Sequence, residues 1–386
     1  MGYVREIDSG ERTMNETIKY CFLSFVVFFL FSSNCFGLDI AALDAVRNKD
    51  LLQDSDFEVI DQWMSEAIGE LVKTEDFTDI ARLRTRIVVR KESIKASSRA
   101  QYNKGFYTSA KKYIGQALLS AQSLEDEKLK FQIALNLMIL IGELGDIQLA
   151  DIMIDKLNDE NAAIRYWAVN YVAGEGVIEK LNSDPQYQGL AMIVCNRLES
   201  IIGRSLPGVT VLIANFASRL ELARGGELLI KLADLRIKDY SEWKVSNEMI
   251  DSIVLKSLYE KMSSQTGNSA VGERFAQLFS FVIQRYINGQ EILNETEKQN
   301  LVSIMVEIED KCIKKMFGTQ ATIKSALEKK DLAALWREHN ILLGDENREG
   351  KIGLKYQFMY TRAGGLKSSA PAVLPAPPEG TGNQDV

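Results

Sequence analysis

The chain has 386 residues, 46% hydrophobic and 26% charged, with 46 basic and 53 acidic side chains for a net charge of −7, six prolines, four cysteines and one histidine. That much apolar content can bury a large core and excludes a disordered or fibrous chain, and the negative charge argues against nucleic acid as a bulk partner. A lone His339 and cysteines scattered without CxxC spacing (Cys21, Cys35, Cys195, Cys312) exclude a His/Cys zinc cluster, so no cofactor or metal is expected.

Residues 20 to 31, YCFLSFVVFFLF, form an uncharged run of twelve after Lys19. A spanning helix needs about 20 apolar residues and a signal core about 7 to 15, so residues 1–37 read as a secretory signal with Gly37 the last residue removed. Met14 opens a conventional signal start, whereas the stretch before it is too acidic and polar. An uncleaved N-terminal anchor and lipid attachment at Cys35 are the alternatives. Each places the protein outside the cytoplasm, periplasmic or extracellular. After cleavage only Cys195 and Cys312 remain, too few for a disulfide scaffold, and stability must come from packing.

Beyond the signal, only Pro185 and Pro207 precede the C-terminal tail, and both sit at expected helix starts. Proline costs about 3 kcal/mol inside a helix, so its scarcity permits long helical segments. Phe57, Ile60, Met64, Ile68 and Leu71 recur at three- and four-residue steps, as one buried helix face requires. The pattern predicts helices over 57–73, 76–97, 100–122, 127–144, 147–157, 161–174, 186–203, 208–222, 225–238, 243–263, 270–288, 294–317, 320–329 and 331–342. Sustained strand alternation is absent.

The first of these, within an N-terminal hairpin region 38–108, carry opposite charge. Residues 54 to 79 hold nine acids and Lys73, a local net of −8, and Arg82 to Lys104 hold eight bases and Glu92, a net of +7. Arg82, Arg86 and Arg90 repeat every four residues and project on one helix side, a stripe suited to an anionic surface, polymer or acidic partner. The alternative is that the two helices form an antiparallel hairpin whose charged flanks neutralise each other, each exposed pair contributing about 0 to 1 kcal/mol.

The stretch LEDEKLKFQIALNLM (124–138) matches DENAAIRYWAVNYVA (159–173) at a displacement of 35, with Leu129 on Ile164, Lys130 on Arg165 and Phe131 on Tyr166. Each unit sets an acidic turn before an amphipathic helix, where exposed amides and the dipole favour negative charge. With the Leu144-Gly145-Asp146 turn and the Ile164-Arg165 pair, residues 140–172 resemble a HEAT repeat of the short bacterial kind. The resemblance is clearest over 109–178 and extends in degenerate form through 109–265, with a divergent helical region at 266–362. It implies an all-α fold of stacked helix pairs, an α-solenoid, because one helix pair cannot bury its own face. Such arrays are mainly protein-binding scaffolds.

No catalytic motif has the right context: there is no HExxH, GxSxG or P-loop, and Gly174-Glu175-Gly176 reads as a turn between helices. His339 is expected at the surface or half-buried near a helix end, Cys195 buried among aliphatics, and Cys312, after Glu309 and Asp310, a poor nucleophile. Tyr166, Trp167 and Tyr171 form the most aromatic patch and are candidate partner anchors, or core; Trp167 aligns with polar Gln132 and is expected to be the less buried. Residues 363–386, rich in Gly, Ser, Ala and Pro, are expected to be a disordered tail, or in a functional reading a polyproline II ligand or linker. The reading is therefore an exported, non-catalytic scaffold or adaptor of the cell envelope with protein partners. The alternatives are an envelope-polymer (polysaccharide) enzyme using carboxylates and a binder of anionic ligands through the Arg82–Lys104 segment.

Overall fold

The computed structural model describes residues 38–264, 269–318 and 322–378, and the expected signal segment, 1–37, with Cys21 and Cys35, lies outside the described residues. The fold is all-α. In chain order the helices are α1 (Ile40–Arg47), α2 (Asp54–Lys73), α3 (Phe77–Val88), α4 (Arg99–Gln122), α5 (Glu127–Leu144), α6 (Ala150–Asp155), α7 (Ala162–Val172), α8 (Glu175–Ser183) and α9 (Gln188–Ile201). They continue as α10 (Pro207–Arg219), α11 (Ala223–Ser241), α12 (Met249–Ser264), α13 (Ser269–Asn288), α14 (Glu295–Ile308), α15 (Lys314–Phe317), α16 (Thr322–Glu328), α17 (Leu332–Leu343) and α18 (Lys351–Tyr356). Two minimal antiparallel pairs, Gly344–Asp345 with Arg348–Glu349 and Tyr360–Thr361 with Lys367–Ser368, are the strands among the described residues.

Short polar side chains start these helices. Asp76, Asp126, Asn161 and Asp331 each accept a hydrogen bond from the first-turn amides of the helix that follows, and such a cap contributes about 1 kcal/mol. The two matched repeat units begin alike: Asp126 caps α5 and Asn161, 35 residues on, caps α7. Arg165 is buried, and its Nη1 donates to the Asp159 carbonyl at 2.7 Å, tying the preceding turn to the helix. Pro185 opens a 3-10 turn and Pro207 opens α10, where a missing N–H costs nothing.

Helices pack on neighbours in the chain. One succession of contacts runs α3, α5, α7, α10, α12, α14, α16; a second runs α2, α4, the 3-10 turn Ile147–Leu149 with α6, then α9, α11, α13 and α17. Apolar side chains between the two successions merge into one continuous core. In the long helix from Glu295 to Phe317 a π turn at Glu309–Ile313 aims the buried Glu309 carboxylate at the start of α16, where it accepts from the Ile323 and Lys324 amides at 2.9 and 2.8 Å.

Three expectations need correction. The helix predicted over 76–97 stops at Val88, because Arg47 of α1 donates from Nε to the Glu92 carbonyl and from Nη2 to that of Val89, and Ser93 and Ile94 bond back to the Arg47 carbonyl. Gly174-Glu175-Gly176, expected to be a turn between helices, instead opens α8, with Gly174 at its N-cap and the helix running over Glu175–Ser183. The Pro/Ala/Gly tail is ordered over the part described: Ala370, Pro371 and Leu374 are buried, with Arg362 holding the Ala370 and Pro371 carbonyls and two glutamines of α13 the Ala372 and Leu374 amides. Residues 379–386 lie outside the described residues.

Rows α11 and α12 are joined by a buried ion pair. Arg236 donates from Nε to Asp251 Oδ1 at 2.6 Å and from Nη2 to Oδ2 at 3.0 Å, and the Tyr240 hydroxyl donates to the same Oδ2 at 2.8 Å. Asp251 is 0% exposed. Burial pushes its carboxyl above the usual range against the pull of Arg236, so its charge rests on keeping these partners. Asp251→Ala, which leaves the guanidinium buried and unpaired, is expected to lower unfolding free energy by about 3–5 kcal/mol in urea titrations. A loss below about 1 kcal/mol, within the range of ordinary surface substitutions, would show that the pair does not hold the rows together.

Candidate functional site

The groove between α2 and α4 is a cavity of about 830 Å³ lined by Phe57, Glu58, Asp61 and Glu66 from α2 and by Lys104, Gly105 and Tyr113 from α4, with Gln62, Ser65, Thr108 and Ser109. These helices are in close contact at Gly105. A Cβ there would fall 2.7 Å from Phe57 Cδ1, so glycine is what lets the ring lie across α4 and form one wall. Tyr113 supplies the second aromatic wall.

Asp61 organises the groove. Its Oδ1 accepts from Ser109 Oγ at 2.9 Å, and its Oδ2 accepts from Lys112 Nζ at 2.9 Å and the Tyr113 hydroxyl at 2.6 Å. Ser109, Lys112 and Tyr113 stand three and four residues apart on α4, the spacing that places side chains on one helix face. Burial raises the Asp61 carboxyl, but the hydrogen bonds from Tyr113, Lys112 and Ser109 outweigh it and hold it below the usual carboxylate range. Lys112 Nζ also donates to the Tyr113 hydroxyl at 3.0 Å, and that bond first, with the one to Asp61 second, raises the Lys112 ammonium. Lys112 Nζ also lies 4.5 Å above the Tyr113 ring. Chemically the groove offers two aromatic faces, a ring of hydroxyl and amide groups, and an ionised carboxylate already committed to three donors. That suits recognition of a polar segment rather than proton transfer, which needs a carboxyl poised nearer neutrality.

The basic stripe expected from Arg82, Arg86 and Arg90 is not assembled. Arg90 lies past the end of α3, where its Nη2 reaches Asp44 Oδ2 at 3.2 Å and its Nη1 the Arg86 carbonyl. Arg82 pairs with Asp79 at 2.7 Å, and Arg84 with Asn136 at 3.0 Å. Nor do the acidic and basic segments neutralise each other as a hairpin: Asp56 is met by Lys49 and Asp61 by Lys112, so the acids of α2 find bases from the flanking loop and from α4.

The aromatic patch divides in two. Tyr171 is buried, its hydroxyl donating to the Asp146 carbonyl, and it serves the turn after α5 rather than a partner. Burial and the nearby Asp146 raise its phenol. Tyr166 and Trp167 meet edge to face with centroids 5.8 Å apart; Tyr166, 39% exposed, is the more open of the two and Trp167 is half-buried beside Gly142. Trp167, expected from its alignment with Gln132 to be less buried than its neighbours, is more open than Tyr171 but less open than Tyr166.

His339 is buried at 2% exposure, not at the surface, and stacks on Trp336 with centroids 4.6 Å apart. Nδ1 lies 2.8 Å from Asn340 Oδ1 and Nε2 2.8 Å from Ser280 Oγ, whose oxygen also receives Gln284 Nε2 at 2.8 Å. Donation from Nδ1 to the amide oxygen leaves Nε2 to accept from the serine, so the neutral ring completes the chain. Cys195 and Cys312 are buried and free, and burial pushes both thiols to about 12. Among the described residues no cluster of His, Cys, Asp or Glu could hold a metal ion, and no helix is long and apolar enough to cross a membrane.

Two titrations check these assignments. The Asp61 carboxyl is expected to titrate below its ordinary value by carbon-13 NMR and to move upward in Lys112→Ala; an identical midpoint in both chains would remove Lys112 from the groove. Burial, partly offset by Asn340, lowers the His339 imidazole from 6.5 to about 4. Its folded pKa is depressed, so the unfolded chain takes up the proton first and stability falls as pH drops from 6.5 toward 4, by about 3 kcal/mol. His339→Gln is expected to flatten that part of the pH–stability curve, and equal slopes in the two proteins would overturn the assignment. In comparisons with family models, curated proteins and solved structures, no match is found.

Proposed function

We propose that this protein is an exported, non-catalytic scaffold of the cell envelope, a HEAT-like α-solenoid that holds protein partners along its helical rows. The observation that carries the reading is the contact order: most contacts join a helix to its chain neighbour or to one two or three further on, the near-neighbour economy of a stacked array. Matching caps on α5 and α7 at a 35-residue displacement support a repeated unit. The uncharged run at 20–31 supports export. The Tyr166–Trp167 pair on α7 supplies the partially open aromatic anchors on which binding energy tends to concentrate.

The test is crosslinking of the mature chain within its native envelope, with partners identified by mass spectrometry, beside the Tyr166→Ser/Trp167→Ser double variant. A defined partner whose recovery falls at least about tenfold in the double variant is the expected result. Recovery of no protein by the folded parent chain would overturn the scaffold reading.

A further inference from the structure

Helix α13 is apolar along most of its length, yet Gln277, Ser280 and Gln284, at i, i+3 and i+7, form a polar stripe on its core side. Gln284 is 1% exposed and Ser280 fully buried. Two of these side chains face a peptide backbone. Gln277 Oε1 accepts from the Ala372 amide at 2.7 Å, and Gln284 Oε1 from the Leu374 amide at 2.7 Å, while Gln284 Nε2 donates to the Ala372 carbonyl at 3.0 Å. One residue further on, Trp243 Nε1 donates to the Pro375 carbonyl at 3.0 Å. Side chains alternate as in an extended strand: Leu374 is buried, Val373 is 70% exposed, and Ala372 is half-buried.

The receiving surface is built for this occupant. Trp243 adopts φ +56°, a left-handed conformation costly for a bulky residue, and its ring lies against the Arg285 guanidinium with Cζ 5.4 Å from the centroid. Arg285 Nε and Nη1 are buried there with no hydrogen-bond partner among the described residues. Gly344, at φ +99°, lets the chain pass: a Cβ would sit 2.2 Å from the Ser369 carbonyl oxygen. Yet no backbone-to-backbone hydrogen bond ties residues 369–378 to the helices among the described residues. The segment is held by side chains that read its main chain and by the buried Leu374 and Pro371, as a bound peptide is.

We propose that α13 with Trp243 forms a peptide-binding groove occupied in cis by residues 369–376, and that its trans ligand is an extended, uncharged segment of a partner chain carrying the same Ala-x-Leu-Pro pattern. This goes beyond the scaffold reading and does not rest on it, since it involves neither the repeat units nor the Tyr166–Trp167 pair. A tethered segment competes at an effective concentration in the millimolar range, so the groove accepts a partner only when the cis segment is outbid or withdrawn.

The experiment uses full-length chains and a labelled peptide of residues 367–378, KSSAPAVLPAPP. Leu374→Ser, which loosens the cis segment, is expected to bind the peptide at least about tenfold more tightly than the parent. Adding Gln284→Leu to that variant is expected to abolish the gain. No binding to a Leu374→Ser chain with native helix content, or equal binding to all three chains, overturns the proposal. Should Leu374→Ser fail to fold, hydrogen exchange on the parent decides: the Ala372 and Leu374 amides are expected to exchange by local opening, faster than Phe279 and Val282 in α13. Equal protection would make the segment a fixed part of the core and overturn the proposal. Concentration-dependent dimers of the parent that vanish in Leu374→Ser would assign the groove to exchange between copies and overturn the partner reading.

Discussion

An amphipathic helix has one face that cannot be left in water, and the architecture of this chain follows from covering that face with the nearest available helix. No helix can bury its own apolar face, so most borrow a surface from a chain neighbour or from a helix two or three further on. Hydrophobic burial of this kind is non-directional, at roughly 25 cal/mol per Å² of apolar surface removed from water, and does not by itself choose one register over another. Directional groups at the joints make that choice. Arg165 fixes the turn into α7, Glu309 the start of α16, and Arg236 with Asp251 the seating of α12 on α11.

These buried polar groups behave differently from the surface charges. The surface pairs, such as Arg82 with Asp79, are solvated and contribute about 0 to 1 kcal/mol whether present or absent. A buried group whose partner is lost retains its desolvation cost, so it penalises every arrangement but one. The C-terminal half concentrates such groups. Asp251, Arg285, Glu309, Gln284 and His339 are all buried, and each bears on contacts between different helices or between a helix and the C-terminal segment.

Much of the helical pattern is legible in the sequence, because it depends on periodicity and caps within a few residues. The helices over 100–122, 127–144, 270–288 and 331–342 fall within one residue of those observed. The long run 294–317 is also one continuous helical stretch, although the π turn inside it has no local signature. Failures occur where a distant residue decides. Nothing between Val88 and Lys95 breaks a helix on propensity grounds, and the break is imposed by Arg47, more than forty residues earlier. The α2–α4 groove was missed for the same reason. Gly105 and Phe57 are unremarkable apart, and only their contact reveals why the first is glycine. His339, expected at the surface or half-buried near a helix end, is buried instead by partners that its local sequence does not reveal, Ser280 on α13 and Trp336 stacked beside it.

The Pro/Ala/Gly segment shows how composition can mislead in a specific way. Low hydrophobicity and frequent proline describe a chain that cannot build its own core, and that inference concerns self-sufficiency rather than order. Residues 369–376 make no core of their own; they complete one in which α13 already presents glutamine amides where an apolar helix would present leucine. The legible signal lay on the other partner: Gln277, Ser280 and Gln284 recur at helical spacing inside an otherwise apolar helix, and buried amides must be answered. Through Ser280 the same ladder reaches His339, so the neutral imidazole, the serine hydroxyl and the amide that clasps Ala372 and Leu374 form one hydrogen-bonded chain. Protonating Nε2 would make it a donor to the Ser280 oxygen, which can accept both it and Gln284, but the serine hydroxyl would lose the acceptor to which it donates. A charge on the buried imidazole would therefore be felt at the serine that links α17 to the glutamine holding the C-terminal segment.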